Sequence, residues 1–229
     1  MKYLIWSYDY SHASSGPKAL HLLCHELNLA AEQAAIGNGY ATNPEWNTPN
    51  GSMDDDTIAI YPEVVSGNPW GASRVARWVL NVPGKLGGDT TYDPAEIVFS
   101  WDRSFLDATP LQVPHVETDI YTDRGEPRSG EVYFVGRANY DGSRVGNATP
   151  ITHEMRADRY ALADALNHAE RLYSFEPMTG MADLALMCGC PVLIVPTGEE
   201  LSPEGFREAY LAKWPVFHRQ LADFIRLTQ

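Results

Sequence analysis

The sequence is short of cysteine and has no long apolar run. Its 229 residues include three cysteines, Cys24, Cys188 and Cys190, which form neither a C-x-x-C pair nor a zinc-ligand spacing. Small apolar packing is therefore their predicted role. No run approaches the length of about 20 apolar residues that a membrane-spanning helix needs. The apolar stretch at residues 1–6 is too short for a secretory signal, so we expect a cytoplasmic protein without membrane insertion.

Basic residues are also scarce. There are 17 Lys and Arg against 30 Asp and Glu, which gives a formal net charge of -13. That balance argues against a broad nucleic-acid-binding face and against an anionic membrane surface as partner. What the chain does have is apolar residues, at 44%, which excludes wholesale disorder and suffices for one large domain or two small ones. Six Trp and twelve Tyr serve either packing or the stacking of sugars and bases.

Strand and helix signals alternate in the N-terminal half. Predicted strands cover residues 3–6, 33–36, 57–61 and 97–100, and a helix follows Gly16 and Pro17. Asn68 as a cap and Pro69 in a first turn predict a second helix. Its apolar face would carry Val75, Trp78 and Val79.

The pattern restarts after a change of composition at residues 122–130, which predicts a linker. Strands are predicted at 132–135, 172–175 and 192–195, with helices over 157–170 and up to Met187. The tail, 203–227, is predicted to be helical with an interruption at Pro215. This alternation predicts an α/β protein with two small Rossmann-like parallel-sheet domains, 1–122 and 123–229, facing each other across a cleft, with C-terminal helices packing back.

Several stretches carry a resemblance to a known family. They are 135–137 (VGR), 173–179 (YSFEPMT), 188–192 (CGCPV), 15–28 (SGPKALHLLCHELN) and 60–69 (IYPEVVSGNP). On these stretches the chain resembles the GT-B glycosyltransferases, in particular the bacterial surface-polysaccharide and rhamnosyl-type branch. The resemblance implies transfer of a sugar from a nucleotide-sugar donor to a hydroxyl acceptor, expected to be a glycan, without a metal or another cofactor. A hydroxylated base in modified DNA is the alternative acceptor.

The resemblance places the donor in the C-terminal half. The fork of Arg137 suits a diphosphate leaving group, and Gly136 lets the backbone turn out of its strand. Amides of a helix that begins near Thr179 could help to hold phosphates. The predicted donor-binding residues are Gly16, Gly136, Arg137, Arg144, Glu176, Thr179 and Asp183. Residues His153, Glu154 and Arg156 either reach the phosphates or form a solvated helix start.

One position departs from the family pattern. In the family an acid at the place of Glu176 begins a pair of acids, and the second member binds the ribose. Here the second place is occupied by Leu184, and Asp183 is its neighbour. A shift of one position rotates a side chain by about 100° around a helix. A non-catalytic nucleotide-sugar or glycan-binding module is therefore the rival interpretation.

Catalytic candidates come from the N-terminal half. If the reaction inverts the anomeric centre, a base must take the acceptor proton. Asp9, His12 and Glu63 each follow a predicted strand and are the candidates. If configuration is retained, no dedicated base is required, and stabilisation of the departing diphosphate carries the reaction. The chain is short for two full domains, so we expect elements to be missing from the N-terminal half.

Overall fold

The computed structural model describes residues 1–39, 41–138, 145–177 and 179–229. Its strands are β1 (Lys2–Trp6), β2 (Gln33–Gly37), β3 (Thr57–Pro62), β4 (Arg74–Val79), β5 (Ile97–Ser100), β6 (Thr109–Pro110), β7 (Glu131–Phe134), β8 (Thr149–Pro150), β9 (Arg171–Ser174), β10 (Val192–Ile194) and β11 (Glu199–Leu201). Its helices are α1 (Ser15–Leu29), α2 (His153–Ala157), α3 (Arg159–His168), α4 (Gly180–Met187), α5 (Phe206–Leu211) and α6 (Lys213–Thr228). None of the described helices is both long and apolar enough to cross a membrane.

The protein is α/β, and its chain forms two compact units. The first unit comprises Met1–His115 together with Lys213–Gln229, and the second comprises Val116–Ala212. This division differs from the predicted domains, 1–122 and 123–229, because α6 belongs to the first unit. The predicted interruption of the tail falls at Ala212, while Pro215 lies in the first turn of α6, where a missing N–H costs no helical hydrogen bond.

The first unit is built on a parallel sheet of six strands in the order β2-β1-β3-β4-β5-β6. One face is covered by α1 and α6, which contribute Leu23, Leu27, Phe217 and Phe224 to a core with Ile5 of β1. In a second, smaller cluster, Tyr61 of β3 packs with residues of neighbouring strands and loops. Burial on both faces is the reason why β1 and β3 are nearly continuous apolar runs.

The helix predicted after Pro69 is wrong, because the segment forms strand β4. The Asn68 Oδ1 atom accepts the N–H of Ala72 at 3.0 Å, so the side chain closes a turn instead of capping a helix. Gly67 and Gly71 both have positive φ, at 59° and 63°, which no helix accommodates. The following residues pair with β3 in parallel register, from Arg74 opposite Ile58 onwards.

Three connections in the first unit lack helices. Strands β3, β4, β5 and β6 are successive neighbours in the sheet, and residues 63–73, 80–96 and 101–108 join them as loops. Parallel neighbours are ordinarily joined by a helix. The elements that we expected to be missing from the N-terminal half are therefore the helices of these three crossovers.

The second unit has a mixed sheet of five strands in the order β11-β10-β9-β7-β8. Strand β11 is antiparallel to β10, which corrects the expectation of an all-parallel sheet. A tight turn explains it, since the N–H groups of Thr197 and Gly198 both donate to the Ile194 carbonyl. Helices α3 and α4 supply the core with Leu162, Leu166, Ala185 and Leu186.

Residues 122–130 do not act as a free linker. The Arg128 guanidinium donates to the carbonyl oxygens of Leu166, Ala169 and Cys188 at 3.1, 3.0 and 2.7 Å. The Arg124 N–H donates to Asn167 Oδ1 at 2.9 Å. These bonds fasten the segment to the second unit, and the division between the units falls earlier, after His115.

Candidate functional site

Each sheet has a position where the strand order reverses. In the first sheet it lies between β1 and β3, and in the second it lies between β7 and β9. Open α/β sheets bind ligands at the carboxyl ends of the strands that flank such a position. In the second unit the residues that follow β7 and β9 are Gly136, Arg137 and Glu176, which are three of the predicted donor-binding residues.

Glu176 and the turn after β7 contact each other directly. The Glu176 Oε1 atom accepts the backbone N–H of Arg137 at 2.9 Å. Gly136 has a φ of +62°, and a Cβ atom added there would lie 2.4 Å from the Glu176 carboxyl carbon. The predicted turn at Gly136 is therefore confirmed, and two constraints select glycine there: a left-handed backbone and the neighbouring carboxylate.

The strand-to-helix edge beside Glu176 also has the predicted form. Strand β9 ends at Ser174, whose hydroxyl donates to the Glu176 carbonyl oxygen at 2.8 Å. Helix α4 begins at Gly180, and the Oγ1 atom of its N-cap, Thr179, accepts the N–H of Met181 at 3.3 Å. A capped helix N-terminus, with its positive end of the dipole, thus lies four residues after a carboxylate that is already engaged by a backbone amide.

Arg137 presents an exposed side chain at this edge. Its backbone N–H is held by Glu176, while its guanidinium forms no ion pair with any residue that the structure describes. An exposed guanidinium that none of the described acids pairs with can bind an anion from outside the protein, although the chain as a whole has a net charge of -13. The predicted donor residue Arg144 lies outside the described residues.

The two neighbouring positions on α4 have different roles. Asp183 stands in the first turn of α4, where a negative charge suits the helix dipole. Leu184 is partly buried and packs against the hydrophobic core of the second unit. The place where the family pattern expects an acid is thus occupied by a core-packing side chain, and ribose binding by Asp183 stays a prediction.

The predicted bases of the first unit differ in accessibility. Glu63 is 2% exposed, and its Oε2 atom accepts the N–H of Leu80 at 2.9 Å. This carboxylate therefore caps the end of β4 and is almost fully shielded from solvent. Asp9 is exposed, and its Oδ1 atom accepts the N–H of Ala41 at 2.9 Å. Gly16 stands in the first turn of α1 with open space around its Cα atom.

A cluster of rings surrounds His12 at the carboxyl end of β1. The His12 Nδ1 atom lies 3.2 Å from the Tyr10 hydroxyl, and the Tyr10 ring centroid lies 5.4 Å from that of Trp46. His21 is fully buried, and its Nε2 atom pairs with the Tyr8 carbonyl at 3.1 Å. Burial lowers the pKa of His21 below its usual value and so favours the neutral form of the ring. The sequence signalled this cluster only through its heavy aromatic content.

One group of potential metal ligands occurs among the described residues of the second unit. Ligand atoms of Glu126, Asp164 and His168 lie within 4.8 Å of one another. The guanidinium of Arg124 already lies 3.3 Å from Asp164 Oδ1 and 3.9 Å from Glu126 Oε2. The Arg124 guanidinium therefore already pairs with both carboxylates, and we assign the group to an ion-pair network.

The second unit thus offers the stronger candidate site. Its carboxyl edge combines an exposed arginine, a glycine turn, an engaged carboxylate and a capped helix N-terminus. In the first unit one of the three predicted bases is enclosed by protein. No protein-family model matches the chain, and no curated protein is significantly similar to it.

Proposed function

We propose that the protein is a glycosyltransferase of the GT-B type. It would transfer a sugar from a nucleotide-sugar donor to a hydroxyl acceptor, with a glycan as the expected acceptor. The observation that carries the proposal is the contact between Glu176 and the Arg137 amide at the position where the strand order of the second sheet reverses. It supports a site for a phosphorylated ligand, because the contact fixes the backbone of an arginine whose guanidinium has no ion-pair partner among the described residues, at the edge where such ligands bind.

Each residue has a distinct task in this proposal. Glu176 holds the turn, so it positions Arg137 and does not itself need to touch the donor. Arg137 contacts the diphosphate, whose charge grows as the bond to the sugar breaks. The backbone N–H groups at the start of α4 add a second source of positive potential.

The proposal assigns the acceptor to the first unit. If a base is required, Asp9 and His12 are the candidates that remain, because Glu63 is enclosed and engaged by the Leu80 N–H. A base must lie within hydrogen-bond reach of the proton that it abstracts. Asp9→Asn and His12→Gln should then reduce turnover while leaving donor binding intact.

The test begins with a thermal-shift screen of nucleotide sugars on the full chain, followed by an assay of nucleotide diphosphate release with the best binder. Arg137→Ala should weaken donor binding by about 2 kcal/mol, since a charge-assisted hydrogen bond to the diphosphate is lost. Titration calorimetry measures that loss. Wild-type donor affinity in the variant would refute the placement of the donor at Arg137.

A non-catalytic nucleotide-sugar-binding module is the second candidate. The core packing of Leu184, where the family pattern places an acid, favours it. This candidate expects stabilisation by a donor without any turnover, including slow hydrolysis. If no nucleotide sugar stabilises the protein, both candidates fail.

A further inference from the structure

Arg156 lies at the same sheet edge as Arg137. Strand β8 runs parallel to β7, with Tyr133 opposite Pro150, and the N–H of Ile151 donates to the Tyr133 carbonyl at 2.9 Å. The chain that leaves β8 therefore emerges at the carboxyl edge, where it forms the short helix α2 that contains Arg156. Both arginines thus belong to the loops that follow two adjacent parallel strands.

The guanidinium of Arg156 is held over an aromatic ring. Its central carbon lies 5.5 Å from the ring centroid of Phe134, the last residue of β7. Phe134 is itself buried in the core of the second unit, so the ring is a fixed platform. A cation–π contact of this kind orients the guanidinium without consuming its hydrogen-bond donors.

Those donors have no acidic partner in the part of the chain that the structure describes. The Arg156 Nε atom is shielded from solvent and has no hydrogen-bond partner among the described residues, where the guanidinium also forms no ion pair. Leaving a buried donor unpaired is costly, and a buried donor of a charged group especially so. In a chain with 30 acidic side chains, a half-buried arginine that none of the described acids neutralises points to an anion from outside the protein.

We propose that Arg156, together with Arg137, forms an anion subsite for a phosphate or diphosphate group at the carboxyl edge of β7 and β8. Phe134 orients the Arg156 fork, and the contact between Glu176 and the Arg137 amide fixes the other side of the subsite. Two arginines suit a diphosphate better than a single carboxylate, because it carries more than one negative charge and several acceptor oxygens. The identification of this anion with the donor diphosphate rests on the proposed function, whereas the subsite itself does not.

The experiment measures binding of inorganic pyrophosphate, and separately of the nucleoside diphosphates, to the full chain by titration calorimetry. Arg156→Met keeps an apolar chain over Phe134 but removes the charge, and it should weaken pyrophosphate binding by about tenfold or more. Arg156→Lys keeps the charge without the planar fork and should recover only part of the loss. The matched control is Arg219→Met, which removes one exposed positive charge on α6 and should leave binding unchanged.

The outcomes separate the subsite from the proposed function. Pyrophosphate binding that depends on Arg156, without binding of any nucleotide sugar, supports the subsite and contradicts the glycosyltransferase. Pyrophosphate or nucleotide binding that Arg156→Met leaves at the wild-type level overturns the subsite and leaves the proposed function standing. A chain that binds neither pyrophosphate nor nucleotide overturns both. Equal weakening by Arg156→Met and Arg219→Met would show a general charge effect, which also overturns the subsite.

Discussion

At the scale of single residues, the candidate site depends on Gly136. The residue meets two demands at once, because its φ is +62° and its Cα atom faces the Glu176 carboxylate. A left-handed backbone costs other residues about 1–2 kcal/mol. The added contact with Glu176 makes the position more restrictive than an ordinary glycine turn.

We therefore predict that Gly136→Ala destabilises the protein by about 2 kcal/mol or more and also weakens the proposed donor binding, because Glu176 must move off the Arg137 amide. Urea denaturation and titration calorimetry measure the two effects. Gly130→Ala is the matched control, since Gly130 has a φ of +74° and nothing within 4 Å of an added Cβ atom. Equal losses in both variants would show that the contact with Glu176 does not matter.

At the scale of elements, a buried ion pair anchors the loops that join the strands of the first unit without helices. The Arg77 guanidinium pairs with both oxygens of Glu96, at 2.8 and 2.9 Å, with side chains that are 1% and 8% exposed. It also donates to the carbonyls of Val65 and Gly67 at 2.7 and 2.8 Å. The pair thereby fastens the loop after β3 to β4 and to the start of β5.

Breaking this pair should strongly destabilise the protein. Glu96→Gln leaves a buried guanidinium without its counter-charge, and we predict a loss of about 3–5 kcal/mol in the free energy of unfolding. The double variant Arg77→Met/Glu96→Leu should lose less free energy of unfolding than Arg77→Met or Glu96→Gln alone, because it buries no unpaired charge. A double variant that is as unstable as the sum of the two singles would contradict the pairing argument.

The same region shows what could be predicted from the sequence. Strands β1, β3 and β5 are short apolar runs, and periodicity was enough to locate them. Strand β4 was predicted as a helix, because local cap signals at Asn68 and Pro69 outweighed a pairing with β3 that no local pattern encodes. The enclosure of Glu63 has the same cause, since its partner is the N–H of Leu80 on the next strand.

The second sheet was more predictable at the edge that carries the candidate site. A strand that ends before an acid, followed by Thr179 as a cap, is a local signal, and it located Glu176 and the start of α4 correctly. The contact between Glu176 and Arg137 joins residues 39 positions apart. It could be expected only from the rule that parallel strands bring their carboxyl ends to one edge.

At the scale of the whole molecule, stability should depend on pH through neutral histidines. Burial, aided by the positive charges of Lys18 and Lys213, lowers the pKa of His115 to about 4. Its buried Nδ1 atom has no hydrogen-bond partner among the described residues, and its ring packs edge-on against Trp101 with centroids 5.3 Å apart. His21, also in the first unit, has its pKa lowered by burial in the same way.

The direction of the effect follows from linkage. Between about pH 6.5 and pH 4 the unfolded chain binds a proton at His115 and the folded chain does not, so stability falls as the pH falls through that window. Because part of the ring reaches solvent, we expect a loss of about 1–2 kcal/mol from His115. Urea denaturation of the wild type and of His115→Gln across this range isolates the term. The difference in free energy of unfolding between the two proteins should be constant above pH 7 and should shift in favour of the variant below pH 6.5. A difference that does not depend on pH would mean that His115 has the same pKa in the folded and the unfolded chain.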